Sequence, residues 1–218
     1  MVSLKTLHIT SGECSANALR RRLPSSDILP FNEAMCEGET CLPIYSNEFC
    51  RLRARAYSVT PEEYREKSSI DILKNIGKFE CLELYFDYDM FCAVNALTLL
   101  AFLEQIKFAG QVFFNLIKQD GSADVLERFP LSFKGYLKNY SEILINKTLC
   151  KTGIKVFDKV LPLYIEYKKP DNEIIRYAKE HITLPREKLI TDMLGKFFHY
   201  GLSDLAAEKF IEEALKNS

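Results

Sequence analysis

The chain lacks an excess of either charge. Lys and Arg number 29 against 30 Asp and Glu, for a formal net charge of -1. No global positive field advertises nucleic acid or anionic lipid, so any polyanion contact has to be local. It also lacks a long apolar run. The longest, Phe91 to Leu103, is interrupted by Asn95 and falls short of the ~20 residues of a membrane helix. Met1 to Lys5 carry no apolar signal-peptide region, so a cytoplasmic protein without membrane association is expected. Histidine is scarce: of three, His181 and His199 fall in the C-terminal third, and no catalytic triad is readable. Internal repeats and low-complexity runs are absent. The seven cysteines, an odd number, point to reduced thiols rather than a disulfide framework. Cys36, Cys41 and Cys50 lie close together, but their spacing, with no His nearby, fits no zinc template.

What is present is ordinary globular composition, 47% hydrophobic and 27% charged, in a chain long enough to bury a sizeable core. Leu4 to Thr10 reads as a strand, followed by Gly12 and a helix from Cys14 to Leu23 that Pro24 stops. Asp27 to Pro30 is a second short strand, and Phe31 to Tyr45 an exposed loop. Helices follow over 48–57 and from Thr60 to about Asn75, the latter opened by Thr60-Pro61-Glu62-Glu63 and ended at Gly77. Glu80 to Phe86 is the clearest strand, Met90 to about Ile106 an apolar helix, and Gln111 to Ile117 another strand before the turn at Asp120-Gly121-Ser122. This alternation predicts an α/β fold with a mostly parallel, Rossmann-like sheet. Strands such as Val112-Phe113-Phe114 imply helices on both of its faces. Past Phe129 only helices are expected: 131–147 despite Gly135, 153–168 kinked or split at Pro162, then 170–182, 185–200 and 203–217. Residues 1–125 are accordingly read as an α/β domain and 126–218 as an all-helical region.

Three segments carry candidate chemistry. A strand running into a Gly turn and a helix start, His8-Ile9-Thr10-Ser11-Gly12-Glu13-Cys14-Ser15, places free backbone N–H groups at a sheet edge, where anions bind. Gly12 permits a tight or left-handed turn there, and Ser15 offers a hydroxyl. The same residues also suit plain helix capping by Ser11 or Glu13, with His8 as a packed strand residue. In the acidic loop, Glu33, Glu37 and Glu39 surround Gly38; they suit hydrogen bonding, metal binding or acid–base work, or simple solvation. After the third strand, Asp87 stands at a carboxyl end and Asp89 suits a helix cap. Asn95, in an otherwise apolar helix, has to satisfy its amide against a loop or a pocket. If the segments converge, Glu33, Asp87 and Asp89 make an acidic cluster beside an anion-binding turn. Arg20 to Arg22 and Arg51, Arg53 and Arg55 read as solvated faces paired with nearby Glu, or as a local phosphate or RNA contact.

The same segments resemble the domain-of-unknown-function 1835 family. Leu7 to Ala16 is similar to its His-Ile-x-x-Gly-Asp-Ser opening, Ile28 to Gly38 to its second block, and Leu82 to Leu97 to its third. The resemblance covers roughly the first 120 residues, with a fainter likeness at Phe197 to Leu202. It implies a bacterial protein and places weight on Gly12, Glu33, Gly38 and Asp89, in a family without a settled activity. Glu13-Cys14 stands where Asp-Ser is usual in that family, so a hydroxyl role at position 14 is lost unless Ser15 takes it over.

The ligand-binding candidates are thus His8, Ser11, Gly12, Glu13, Ser15, Glu33, Gly38, Asp87, Asp89 and Asn95, with no catalytic residue, metal ligand or cofactor assigned. The first functional reading is a module that binds a small anionic ligand, phosphate- or nucleotide-like, with the helical tail addressing a protein partner. The alternatives are a metal-dependent hydrolase or transferase acting on a phosphorylated or nucleic-acid substrate, and a structural adaptor without ligand.

Overall fold

Alternation shapes the first strand, β1 (Thr6–Thr10): Leu7 and Ile9 bury on one side while Thr6 and His8 stay partly exposed on the other. β2 (Asp27–Pro30) and β3 (Cys81–Phe86) flank it in parallel. β4 (Gln111–Ile117) pairs in parallel with β3, and β5 (Val125–Pro130) closes the sheet antiparallel to β4, giving the order β2-β1-β3-β4-β5. The computed structural model describes residues 4–68, 70–132 and 134–216. Its α-helices are α1 (Glu13–Arg22), α2 (Asn47–Ala56), α3 (Pro61–Lys67), α4 (Ile70–Lys74), α5 (Met90–Gln105), α6 (Tyr136–Tyr140), α7 (Lys155–Tyr167), α8 (Glu173–Glu180), α9 (Arg186–Lys196) and α10 (Asp204–Lys216). The protein is therefore α/β, a mostly parallel sheet flanked by helices with a helical C-terminal region. No helix among the described residues is long and apolar enough to cross a membrane. All seven cysteines are free thiols.

The main core lies on one face of the sheet. Leu7, Ile9, Leu82, Leu84, Phe86, Val112 and Phe114 belong to it together with α5, which packs on β3 and is buried nearly all round because α6 and α7 pack against it. Each such side chain contributes ~1.5–3 kcal/mol on burial. The opposite face was expected to be covered as well, and it is covered only in part. There α1 packs on β1 and β2, and Leu19, Tyr85 and Ile117 make a small separate cluster. Beyond it a polar network takes the place of a second helix. Glu83 accepts from Asn115 Nδ2 at 2.7 Å and from Arg128 Nη2 at 2.7 Å, and the Arg128 guanidinium lies 3.7 Å from the Phe113 ring centroid. Phe113 is thus shielded by a cation rather than by a helix.

Several expected elements differ. The helix over 60–75 is broken into α3 and α4; at the end of α3, Ser68 N and Ser68 Oγ both donate to the Tyr64 carbonyl, at 2.9 Å and 2.5 Å. Ser69, inside that expected helix, lies outside the described residues, as do Phe133 within 131–147 and Asn217 at the chain's last helix. β5 was not expected: its residues are mostly exposed, so pairing with β4 rather than burial makes the strand, and the division at 125/126 falls at its start. The helix read from Leu131 begins only at Tyr136, because Gly135 takes a left-handed φ of 96°; a π turn, Ser141–Ile145, follows. Pro162 neither splits nor ends α7, whose Phe157, Leu161 and Tyr164 are held in the core on both sides of it.

The segment after β2 is the largest departure. Instead of an exposed loop, it buries Phe31, Glu33, Met35, Cys36, Ile44 and Tyr45. Gly38 shows why glycine is required there: its φ is +62°, and a Cβ would overlap that of Ala56 on α2. Gly38→Ala is expected to destabilise the fold by ~1–3 kcal/mol, read as a lower urea midpoint. An unchanged midpoint would show that the segment is not packed on α2.

Candidate functional site

From β1 the chain steps to β2 on one side and then crosses to β3 on the other, so the reversal of strand order lies beside the carboxyl end of β1. Open α/β sheets bind ligands in the crevice at such a point. The three strand ends are laced together: Ser11 N donates to the Tyr85 carbonyl at 2.9 Å and Phe31 N to the Thr10 carbonyl at 2.8 Å. Among the described residues no side chain caps α1, whereas Ser46, Thr60, Asp89 and Asn172 cap α2, α3, α5 and α8. The first-turn N–H groups of α1, which no helix pairs internally, therefore have no capping side-chain acceptor. Glu13 does not serve them, since its carboxylate pairs with Arg20 at 3.0 Å. Gly12, expected to allow a tight or left-handed turn, is instead extended, with φ 167° and ψ -176°. What Gly12 supplies is space: nothing among the described residues lies within 4 Å of where its Cβ would be.

Next along the edge, Glu33 is buried and paired with an equally buried Arg53. Their side chains are 1% and 0% exposed, and Arg53 Nε lies 3.3 Å from Glu33 Oε2. This contact closes the ion pair without hydrogen-bond alignment, and the Tyr64 hydroxyl faces the same carboxylate. Arg53 also donates to the carbonyls of Ala34 (2.8 Å), Glu37 and Glu39. The Tyr57 hydroxyl accepts from Ala34 N at 2.6 Å and donates to Glu33 Oε1 at 3.3 Å. Burial raises the Glu33 pKa, and the neighbouring Arg53 charge opposes that rise. From the other side Asn95 grips the same segment, its Oδ1 accepting from Met35 N at 2.9 Å and its Nδ2 donating to the Glu33 carbonyl at 2.5 Å.

At the end of β3, Asp89 Oδ1 caps α5 by accepting from Cys92 N at 2.7 Å, and Oδ2 accepts from Gln119 Nε2 at 3.3 Å. Asp87 Oδ1 accepts from Asp89 N at 3.1 Å. Burial, followed by the charge of Asp87, pushes the Asp89 pKa up to about 7, and burial raises Asp87 as well. Asp87, Asp89 and Cys92 bring one ligating atom each within 4.8 Å of one another. The tail closes over this part of the edge. Gly201, left-handed at φ 69°, sits so close to the Asp89 carboxylate that no Cβ fits. Lys168 Nζ donates to the carbonyls of Cys36 (3.3 Å) and Gly38 (3.0 Å), while Tyr167 and Lys209 both bond to the Glu37 carboxylate.

Ser11, Gly12 and Glu13 thus line the β1 end of the edge, and Asp87 and Asp89 follow β3 beside it. Ser15 is buried in α1. His8 lies back within β1, where its Nδ1 is 3.1 Å from the Tyr85 hydroxyl and burial lowers its pKa. Glu33 does not join the two aspartates, because its carboxylate is committed to Arg53. Gly38 and Asn95 hold the segment after β2. Arg53 is no part of a solvated face, and its role with Tyr57 and Tyr64 escapes the sequence reading. A signal for it exists: Phe49 and Arg53 are four apart on α2, so the arginine falls on the buried stripe. Compared with family models, with curated proteins and with solved structures, the chain finds no match.

Arg53→Met, which strands a buried carboxylate, is expected to cost ~3–5 kcal/mol in urea denaturation, with Glu33→Gln/Arg53→Met recovering much of the loss. Equal losses in the single and double variants would contradict the pairing. The raised acids give a second expectation. Between about pH 4 and pH 7 the folded protein holds a proton at Asp89 that the unfolded chain has released, so stability falls as pH rises through that window. Asp89→Asn keeps a capping oxygen and should flatten that fall. An undiminished slope would place the titration elsewhere.

Proposed function

We propose that the protein binds a small phosphate-bearing ligand at the carboxyl edge of its sheet, as a cytoplasmic binding or sensing module whose helical tail engages a protein partner. The observation that carries this reading is the strand order, which sets the uncapped first turn of α1 at the reversal point between β1 and β3. Backbone N–H groups at such a turn favour an anion through hydrogen bonds and the helix dipole. The likeness of the three edge segments to the domain-of-unknown-function 1835 family supports the same location. The tail is suited to report occupancy because Lys168, Tyr167, Lys209 and Gly201 rest on the segments bordering the edge.

A metal-dependent hydrolase or transferase has one observation in its favour, the proximity of Asp87, Asp89 and Cys92. All three are already engaged: Asp89 caps α5, Asp87 accepts from Asp89 N, and the Cys92 thiol is buried with its pKa raised, far from the thiolate a metal needs. Binding at the α1 turn asks for no such rearrangement, so it is the better supported of the two.

A thermal-shift series with inorganic phosphate, nucleotides and sugar phosphates tests the proposal. At about 100 times its dissociation constant a ligand stabilises by ~2.7 kcal/mol, a shift of ~5–10 °C for a chain of this size. Gly12→Asp supplies the missing cap and a repelling charge, so it is expected to abolish the shift while preserving the fold. Shifts that survive Gly12→Asp would move the site away from α1.

A further inference from the structure

We infer that the cavity of about 380 Å³ lined by Asn32, Tyr57, Val59, Tyr64, Lys67 and Ser68 takes the nucleoside half of a nucleotide whose phosphate lies at the first turn of α1. The inference rests on the phosphate reading above and names the ligand class. Its volume falls within the range of small-molecule sites, which begins at roughly 300 Å³. The cavity of about 490 Å³ between Leu4, Phe79 and Gln111 lies at the amino ends of the strands, on the far side of the sheet from the turn.

Position comes first. Thr10 is in register with Pro30 and Phe31 N is bonded to the Thr10 carbonyl, so Phe31 stands beside Ser11 and Asn32 follows at the level of Gly12, about one strand spacing (~4.8 Å) across from the uncapped turn. A ligand held there by its phosphate has the Asn32 cavity next to it in the direction of β2.

The wall of the cavity is a fixed aromatic platform. Tyr57 is 38% exposed, yet its hydroxyl is held by Ala34 N and Glu33. Its ring stacks on Tyr64, with centroids 5.9 Å apart and planes at 25°, and the Arg53 guanidinium lies 5.4 Å from its centroid. A ring that is partly open to solvent and already immobilised loses little entropy when a planar group stacks on it. The rim carries the polar groups that read a base or a ribose. Asn32 and Lys67 are exposed there, one offering an amide donor and acceptor and the other an ammonium. The Ser68 hydroxyl donates to the Tyr64 carbonyl, which leaves it to act toward a ligand as an acceptor. An aromatic platform with three polar groups beside it, adjoining an anion site, matches a molecule that is aromatic at one end and anionic at the other.

Calorimetric titration of the full chain with inorganic phosphate, adenosine monophosphate and uridine monophosphate tests this. At least one nucleotide should bind about ten-fold or more tightly than phosphate, the worth of one stacked base. Tyr57→Ala should bring that nucleotide down to the phosphate affinity and leave phosphate binding unchanged, whereas Tyr57→Phe should keep the advantage. Because Tyr57→Ala also strips a bonded hydroxyl from the core, the rim variants Asn32→Ala and Lys67→Glu, at exposed positions, carry the test independently and should each reduce the advantage. Phosphate binding with no nucleotide advantage, or an advantage untouched by all three losses, overturns this inference and leaves the phosphate reading standing. Absence of binding by phosphate and by both nucleotides overturns the phosphate reading itself.

Discussion

The arrangement of the sheet edge depends on one buried arginine. Arg53 enters the core from α2 with no exposed surface, neutralises Glu33 and takes up the carbonyls of Ala34, Glu37 and Glu39. A segment without regular structure cannot be buried unless its backbone groups find partners. Here one guanidinium supplies several of those donors, which suits a planar group with five N–H bonds in a rigid fork. Asn95 completes the work from α5, so the segment after β2 is held from two helices at once. The tail can then treat it as a fixed surface, and Lys168, Tyr167 and Lys209 dock against it.

The two ends of this edge differ in how far they are satisfied. On the β3 side the helix start is capped, its acids are buried, and Gly201 closes over them. On the β1 side the helix start has no capping side chain and open space around Gly12. Folding therefore consumes the hydrogen-bonding capacity of one side and leaves that of the other available. This contrast, more than any single residue, directs the functional reading to the first turn of α1. The same asymmetry runs through the sheet, where one face is packed by α5 and the tail while the other has α1 and the Glu83–Asn115–Arg128 network.

Much of the fold is legible in the sequence because the interactions concerned are local or periodic. β3 follows from a run of apolar and aromatic residues, α3 from its Thr-Pro-Glu-Glu start, and the Asp89 cap from its place before an apolar helix. Gly201 as a helix end and Ser203 as a helix start are read from the same kind of signal. What is not legible depends on partners distant in the chain. β5 carries Glu127 and Arg128 with little burial, and only β4 makes it a strand. Arg53 looks like Arg51 and Arg55 until Glu33, twenty residues earlier, is placed against it. Glu33 in turn looks like a free acid, which is why an acidic cluster with Asp87 and Asp89 is a natural expectation that burial and pairing defeat. At the α1 turn the sequence shows that a strand meets a glycine and a helix; that no side chain caps that helix emerges only from the geometry.

The most direct measurement is a phosphate titration followed by amide chemical shifts in a nitrogen-15 spectrum of the whole chain. The account predicts that the largest shifts fall on the backbone N–H groups of Gly12 to Ser15, with smaller ones on Asn32 and Asp87 beside them. Shifts concentrated elsewhere, or none at these four residues at saturating phosphate, would contradict it.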